Sequence, residues 1–289
     1  RVSDNERYLL AGYPWFKVRA RDMFISLPGL TIAIQENDYF KLVMDTAKKA
    51  IYEFMSGRPL TGLICEIEQP DVLLWAIWAL QQYAHEMGNA IAYQEYGTFL
   101  EDMLRFIESG KHPNLELKEN GLLHIEGRDE PMTWMNSTVN GKPVVPRTGY
   151  VVEINALWYN ALKFIAEMAI SNGKPEKAAE LDARADIAKE SFQRIFVNPN
   201  GYLFDYVEDG ITDWSVRPNM IFPVAFDYSP LEPEQKKSVL DFCTRELLTP
   251  KGLRTLSPKS GGYNPIYAGA QTQRDYAYHS GTAWPWLGG

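Results

Sequence analysis

Apolar residues recur at three- and four-residue steps over much of the chain, and that spacing predicts helices. Over 38–55, Phe40, Val43, Met44, Ala47, Ile51 and Met55 share one face, with Asp38 as the N-cap and Gly57 as the stop. Pro70 and Asp71 open a second helix running to Met87. Its Leu73, Leu74, Ile77, Trp78 and Leu80 leave almost no polar face, so burial on most sides is expected. Tyr93, Tyr96, Phe99, Leu100, Met103, Leu104 and Phe106 carry a third over 90–107, and the short joints between these helices predict antiparallel hairpins.

From 108 to 152 the helical period disappears. Gly, Pro and Asn punctuate a long loop with one strand candidate, 122–125. A long irregular stretch inside a compact domain is usually functional. Helices resume over 154–171 and 176–196, the second charged on one face and expected outermost, and shorter ones follow at 218–226 and 233–247. A second Gly- and Pro-rich loop runs over 249–279. Helices without a βαβ alternation, joined by short and long connections, predict an all-α fold of helix hairpins in a single domain.

Charge narrows the partners. With 29 basic against 37 acidic side chains the formal net charge is -8, which disfavours nucleic acid and suits a neutral polymer. The two cysteines, Cys65 and Cys243, are too few for a secreted disulfide scaffold and are read as buried, reduced thiols. No apolar run reaches the roughly 18 residues of a membrane span and no leader precedes the first helix, so a cytoplasmic protein that does not enter a membrane is expected. The abrupt start at Arg1 leaves room for a preceding segment.

Several large aromatics, among them Trp15, Trp134, Trp214, Tyr263, Tyr267, Trp284 and Trp286, lie in polar loop sequence. Aromatic rings stack on the C–H faces of sugars, whose hydroxyls need forked polar partners. The plainer alternative is that these rings seal loops over a core.

The motifs sharpen this. Glu130-Pro131-Met132-Thr133-Trp134-Met135-Asn136 is followed by Pro146-Arg147 and by Glu153-Ile154-Asn155-Ala156-Leu157-Trp158-Tyr159. Taken with Ala11-Gly12-Tyr13-Pro14-Trp15-Phe16, Arg21-Asp22 and His279-Ser280-Gly281-Thr282-Ala283-Trp284-Pro285-Trp286, they resemble the amylo-α-1,6-glucosidase domain of glycogen debranching enzymes over nearly the whole chain. The resemblance implies an (α/α)6 barrel with its active site on loops at one end. It also implies hydrolysis, with inversion, of α-1,6-linked glucose on a branched α-glucan. That barrel needs about twelve helices where the periodicity supplies about eight or nine, so a barrel incomplete at its C-terminal end is expected.

Glycoside hydrolysis needs two carboxyl groups. The resemblance places the acid at the Asp of a Thr-Trp-Met-Asp motif, and here that position is Asn136. An amide neither ionises nor delivers a proton. Three readings stand open: the acid has moved to Asp129, Glu130 or Glu126, where burial could raise a carboxyl pKa; catalysis is lost and glycan binding kept; or the substitution was engineered to trap substrate. The family's second carboxylate lies past the Trp-Pro-Trp motif, and is expected beyond Gly289.

By the same resemblance Arg21, Asp22, Trp134, Arg147 and Glu153 hold the terminal glucose, with Trp75, Trp214, His279 and Trp284 as further contacts. Asp71, Asp213 and Arg217 are weaker candidates. The plainer reading of Arg21 and Asp22 is a capping Asp with a local ion pair, and that of Glu153 a first-turn acid at a helix N-terminus. His85, His112, His124 and His279 show no metal-ligand spacing, and no phosphate loop, serine elbow or paired-cysteine motif is present. No cofactor is expected.

Overall fold

The computed structural model describes residues 6–288, which divide into two compact units. Among the described residues, the first comprises 6–114 and 164–181, the second 115–163 and 182–288.

In the first unit, β1 (Val18–Arg19) leads into α1 (Ala20–Leu30), α2 (Asn37–Met55), β2 (Ile64–Cys65), α3 (Val72–Met87) and α4 (Asn89–Glu108). β1 and β2 pair in parallel. α3 packs against both α1 and α4, and Gly88 at φ 87 gives the turn between α3 and α4 that the hairpin needs. The predicted face of α2 is buried from Phe40 to Ile51, while Met55 is half-buried. α2 ends in a two-bond stop in which Arg58 N donates to Glu53 O and Gly57 N to Phe54 O, with Gly57 left-handed. The expected Asp38 cap is absent, since α2 starts after Glu36 with no side-chain cap, and Asp71 precedes α3 without capping it. The Asp71 carboxylate is used elsewhere. Residues 164–181, from the end of α5 (Val152–Ser171) and the start of α6 (Pro175–Phe196), complete this unit.

The second unit departs from an all-α expectation. Its centre is a five-stranded antiparallel sheet of β3 (Glu116–Leu117), β4 (Leu123–Ile125), β7 (Gly149–Val151), β8 (Tyr206–Glu208) and β9 (Ile211–Thr212), in the order β3-β4-β7-β8-β9. Between β4 and β7 lies the hairpin β5 (Thr138–Val139) and β6 (Lys142–Pro143). Strands of two or three residues have no room for the alternation that announces a strand, so only β4 was legible in sequence. Gly149 makes the sheet possible: at φ 79, an added Cβ would collide with Val207 O and with Glu208.

A single 3-10 turn from Pro218 to Ile221 precedes α7 (Phe222–Ala225), where one longer helix was expected. α8 (Pro233–Leu247) follows as predicted, started by Pro233 and a capping box between Glu232 and Gln235. The remaining irregular region holds β10 (Leu248–Thr249), β11 (Gly252–Arg254), α9 (Gln271–Ala277) and β12 (Ala283–Trp284), the strands ordered β10-β11-β12. Nine α-helices and twelve short strands are thus present among the described residues. No described helix is long and apolar enough to cross a membrane. Both cysteines are free; Cys243 is buried as expected, but Cys65 is only half-buried, on edge strand β2.

Candidate functional site

Strand pairing in the second unit builds a buried cluster of charge. Arg147 stands just ahead of β7, Glu153 lies in the first turn of α5 just after it, and Asp205 stands just ahead of the neighbouring β8. Arg147 forks twice. Its Nε and Nη2 donate to Asp205 at 2.6 and 3.0 Å, and its Nη1 and Nη2 donate to Glu153, the latter at 2.6 Å. All three side chains are almost wholly shielded from solvent. Burial opposes the Arg147 charge, and the two carboxylates outweigh it, so its pKa is raised. Glu153 is pushed above the usual carboxylate range by burial, with Asp205 adding to the rise.

The cluster continues into the loop motifs. Asn219 donates from Nδ2 to Asp205 at 2.7 Å and accepts from Trp134 Nε1 at 2.7 Å. The sulfur of Met135 lies 3.6 Å from Asn219 Nδ2 and 3.9 Å from Arg217 Nη1. Trp134 and Met135 are therefore pinned on this network, and the half-buried Asn136 follows them directly in the chain. Arg217 reaches Asp205 as an ion pair at 3.9 Å and donates to the carbonyls of Thr255 and His279, while its buried Nε has no hydrogen-bond partner among the described residues. Burial lowers the Arg217 pKa below its ordinary value.

Trp134 also meets the rings of His279, Trp284 and Trp286 edge-on at 5.2–5.8 Å, and His279 stacks on Trp284. His279 is 1% exposed, and neither ring nitrogen has a partner among the described residues. Burial, with the two arginines adding to it, pushes its pKa down to about 3, so the ring is neutral at physiological pH. Arg217 also lines a cleft of about 640 Å³ with Val144, Asn264, Tyr276 and Ser280, and Asp213 and Trp214 line another of about 580 Å³ with Glu246 and Lys259. Forked ionic groups beside stacked aromatics are the equipment of a site that meets a polyhydroxylated, ring-shaped ligand.

Of the residues singled out in sequence, Trp134, Arg147, Glu153, His279 and Trp284 are thus gathered around one network, while Trp214, 57% exposed, packs edge-on against Phe204 at a cleft. Asp129, Glu130 and Glu126 are exposed. Arg21, Asp22 and Trp75 belong to the first unit. Arg21 does not pair with its neighbour: its Nε and Nη2 fork onto Asp71 at 2.7 and 2.8 Å, and Trp75 Nε1 donates to the same carboxylate at 3.1 Å. Asp22 is exposed in the first turn of α1, where Arg19 takes the cap position without a side-chain bond. Sequence reasoning passed over Asp205 and Asn219. Their usable signal was an isolated acid ahead of a short β run, and an amide next to a proline in an apolar segment, neither of which reveals a partner in the chain.

The chain belongs to the amylo-alpha-1,6-glucosidase family, which matches residues 1–289. The glycogen debranching enzyme of Saccharomyces cerevisiae is 23% identical over 384 aligned residues, taking in 99% of this chain and 25% of the yeast protein. The chain therefore spans about a quarter of the length of that curated relative. Among solved structures, the GH78 family rhamnosidase of Bacillus sp. GL1 is similar over 61% of this chain and 17% of its own, at 17% identity and a TM-score of 0.47.

Proposed function

We propose that this chain is the sugar-holding part of a cytoplasmic α-1,6-glucosidase that removes glucose from trimmed branch points of glycogen or a related α-glucan, with inversion. The (α/α)6 barrel, formed as one catalytic domain, belongs to the same proposal. The observation that carries it is the anchoring of the Thr133-Trp134-Met135-Asn136 motif on the buried Asp205–Asn219 network, within a chain that matches the family along its whole length. Trp134, Trp284 and His279 meet the ring and hydroxyls of the sugar in this reading, while Arg147 and Glu153 fix the floor. In the first unit Arg21 is committed to Asp71.

Asn136 cannot give up a proton. In our reading Asp213 supplies it. Asp213 is half-buried on the cleft beside Trp214, one of its oxygens is held by the amide and hydroxyl of Ser215, and burial with the nearby Asp205 raises its pKa. That is the environment a general acid needs, and Asp129, Glu130 and Glu126 lack it. Asn136 itself favours a second reading, a glycan-binding domain without turnover.

Proton NMR of the full polypeptide with a glucosyl-branched maltooligosaccharide separates the two. The proposal expects β-glucose before mutarotation, and a rate loss of about a hundredfold or more in Asp213→Asn with binding retained. Intact substrate with saturable binding establishes the second reading, and absence of both turnover and binding removes both.

A further inference from the structure

We propose that His124, Glu126 and Glu208 form a binding site for a divalent transition-metal ion, of which Zn²⁺ is the probe. One ligand atom from each lies within 4.8 Å of the other two. Tetrahedral zinc with bonds of about 2.0–2.2 Å separates its ligand atoms by about 3.4 Å, so closing the site asks for side-chain movements of about an ångström. His124 lies on β4 with Glu126 just past its end, and Glu208 lies on β8 of the same sheet. Ligands on rigid strands are held near their positions.

The donor set specifies the kind of ion. One imidazole and two carboxylates suit zinc or a neighbouring first-row metal, whereas magnesium and calcium prefer oxygen alone. Two carboxylate charges match a dication. Glu208 is already oriented from behind, because Thr148 Oγ1 donates to its Oε1 at 3.0 Å, the outer hydrogen bond that metal-binding carboxylates use. Its other oxygen meets Arg128 Nη2 at 2.5 Å. Glu208 has a side chain 7% exposed and Arg128 one 63% exposed, so a buried charge is balanced by a cation free to swing into solvent. Arg128 is the competitor that a metal ion displaces.

The site also has a purpose in the fold. β8 follows Asp205 directly, and β7, between β4 and β8, follows Arg147 and precedes Glu153. A metal ion tying β4 to β8 would clamp the strands that set the Arg147 forks.

Calorimetric titration of the tag-free full chain with ZnCl₂ and with MgCl₂ tests this, with thermal melts alongside. Expected are one zinc per chain, no saturable magnesium binding, and a melting temperature that rises with zinc. His124→Ala abolishes uptake, Glu126→Gln weakens it tenfold or more, and Arg128→Ala tightens it several-fold. Glu126 is exposed, so its substitution reads binding without disturbing the fold. No saturable zinc binding, or zinc binding unchanged in Glu126→Gln, overturns the proposal.

Discussion

Two buried arginines in this chain make the same bond and do different work. In the first unit Arg21 forks onto one carboxylate, Asp71, and the charges cancel; Gln69 and Trp75 fill the remaining hydrogen-bonding positions. In the second unit Arg147 forks onto two carboxylates, and Asp205 is shared further with Asn219 and Arg217. The first is closed. The second is open, with an arginine nitrogen and two imidazole nitrogens unpartnered among the described residues, and a ring of aromatics around them. Protein interiors rarely tolerate buried polar groups without partners, so their concentration at one place marks where a ligand is expected.

That contrast can be broken by mutation. Replacing Arg147 by Met strands two buried carboxylates and is expected to cost about 3–5 kcal/mol in urea denaturation, and Arg21→Met, which strands Asp71, a comparable amount. The difference lies in rescue. Adding Asp71→Leu to Arg21→Met should recover most of the loss, because a closed pair can be exchanged for packed apolar groups. Neutralising Glu153 and Asp205 beside Arg147→Met should not, because Asp205 also holds Asn219 and, through it, Trp134.

A pH measurement sharpens the comparison from the other side. His112 of the first unit is buried against Phe54 and Phe106, and burial pushes its pKa down to about 4. Its ordinary value is about 6.5, so the unfolded chain binds a proton that the folded one refuses between those values. Stability therefore falls as pH drops from about 6.5 towards 4, by up to about 3 kcal/mol. His112→Asn, which keeps an acceptor for the Asn114 amide, should flatten that slope in denaturation curves taken across the window. Smaller still is Asn219→Leu, which cuts the link between Trp134 and Asp205 and should cost about 1–3 kcal/mol while loosening oligosaccharide binding.

Much of this molecule was legible in its sequence because helices of fifteen residues or more repeat their apolar face several times. α2, α3, α4, α6 and α8 lie close to where their spacing predicts. The five-stranded sheet was hidden because each of its strands is two or three residues long, and its central pairings, β4 with β7 and β7 with β8, join residues far apart in sequence. The site divides in the same way. Motif residues such as Trp134, Arg147 and Glu153 could be singled out through resemblance, whereas Asp205 and Asn219 acquire meaning only from partners 58 and 85 residues away. The cap assigned to Asp38 is absent, since α2 begins one residue earlier than its spacing predicts and follows Glu36 without a side-chain bond.

The central claim is that the unpartnered groups around Trp134 are kept for a sugar, and His279→Phe tests it most directly. Phenylalanine retains a ring to stack on Trp284 and removes two buried nitrogens that nothing among the described residues satisfies. Calorimetric titration with a glucosyl-branched maltooligosaccharide, paired with a thermal melt, should give a variant at least as stable as the parent that binds the oligosaccharide ten times more weakly or worse. Unchanged affinity in a stable variant would contradict the account.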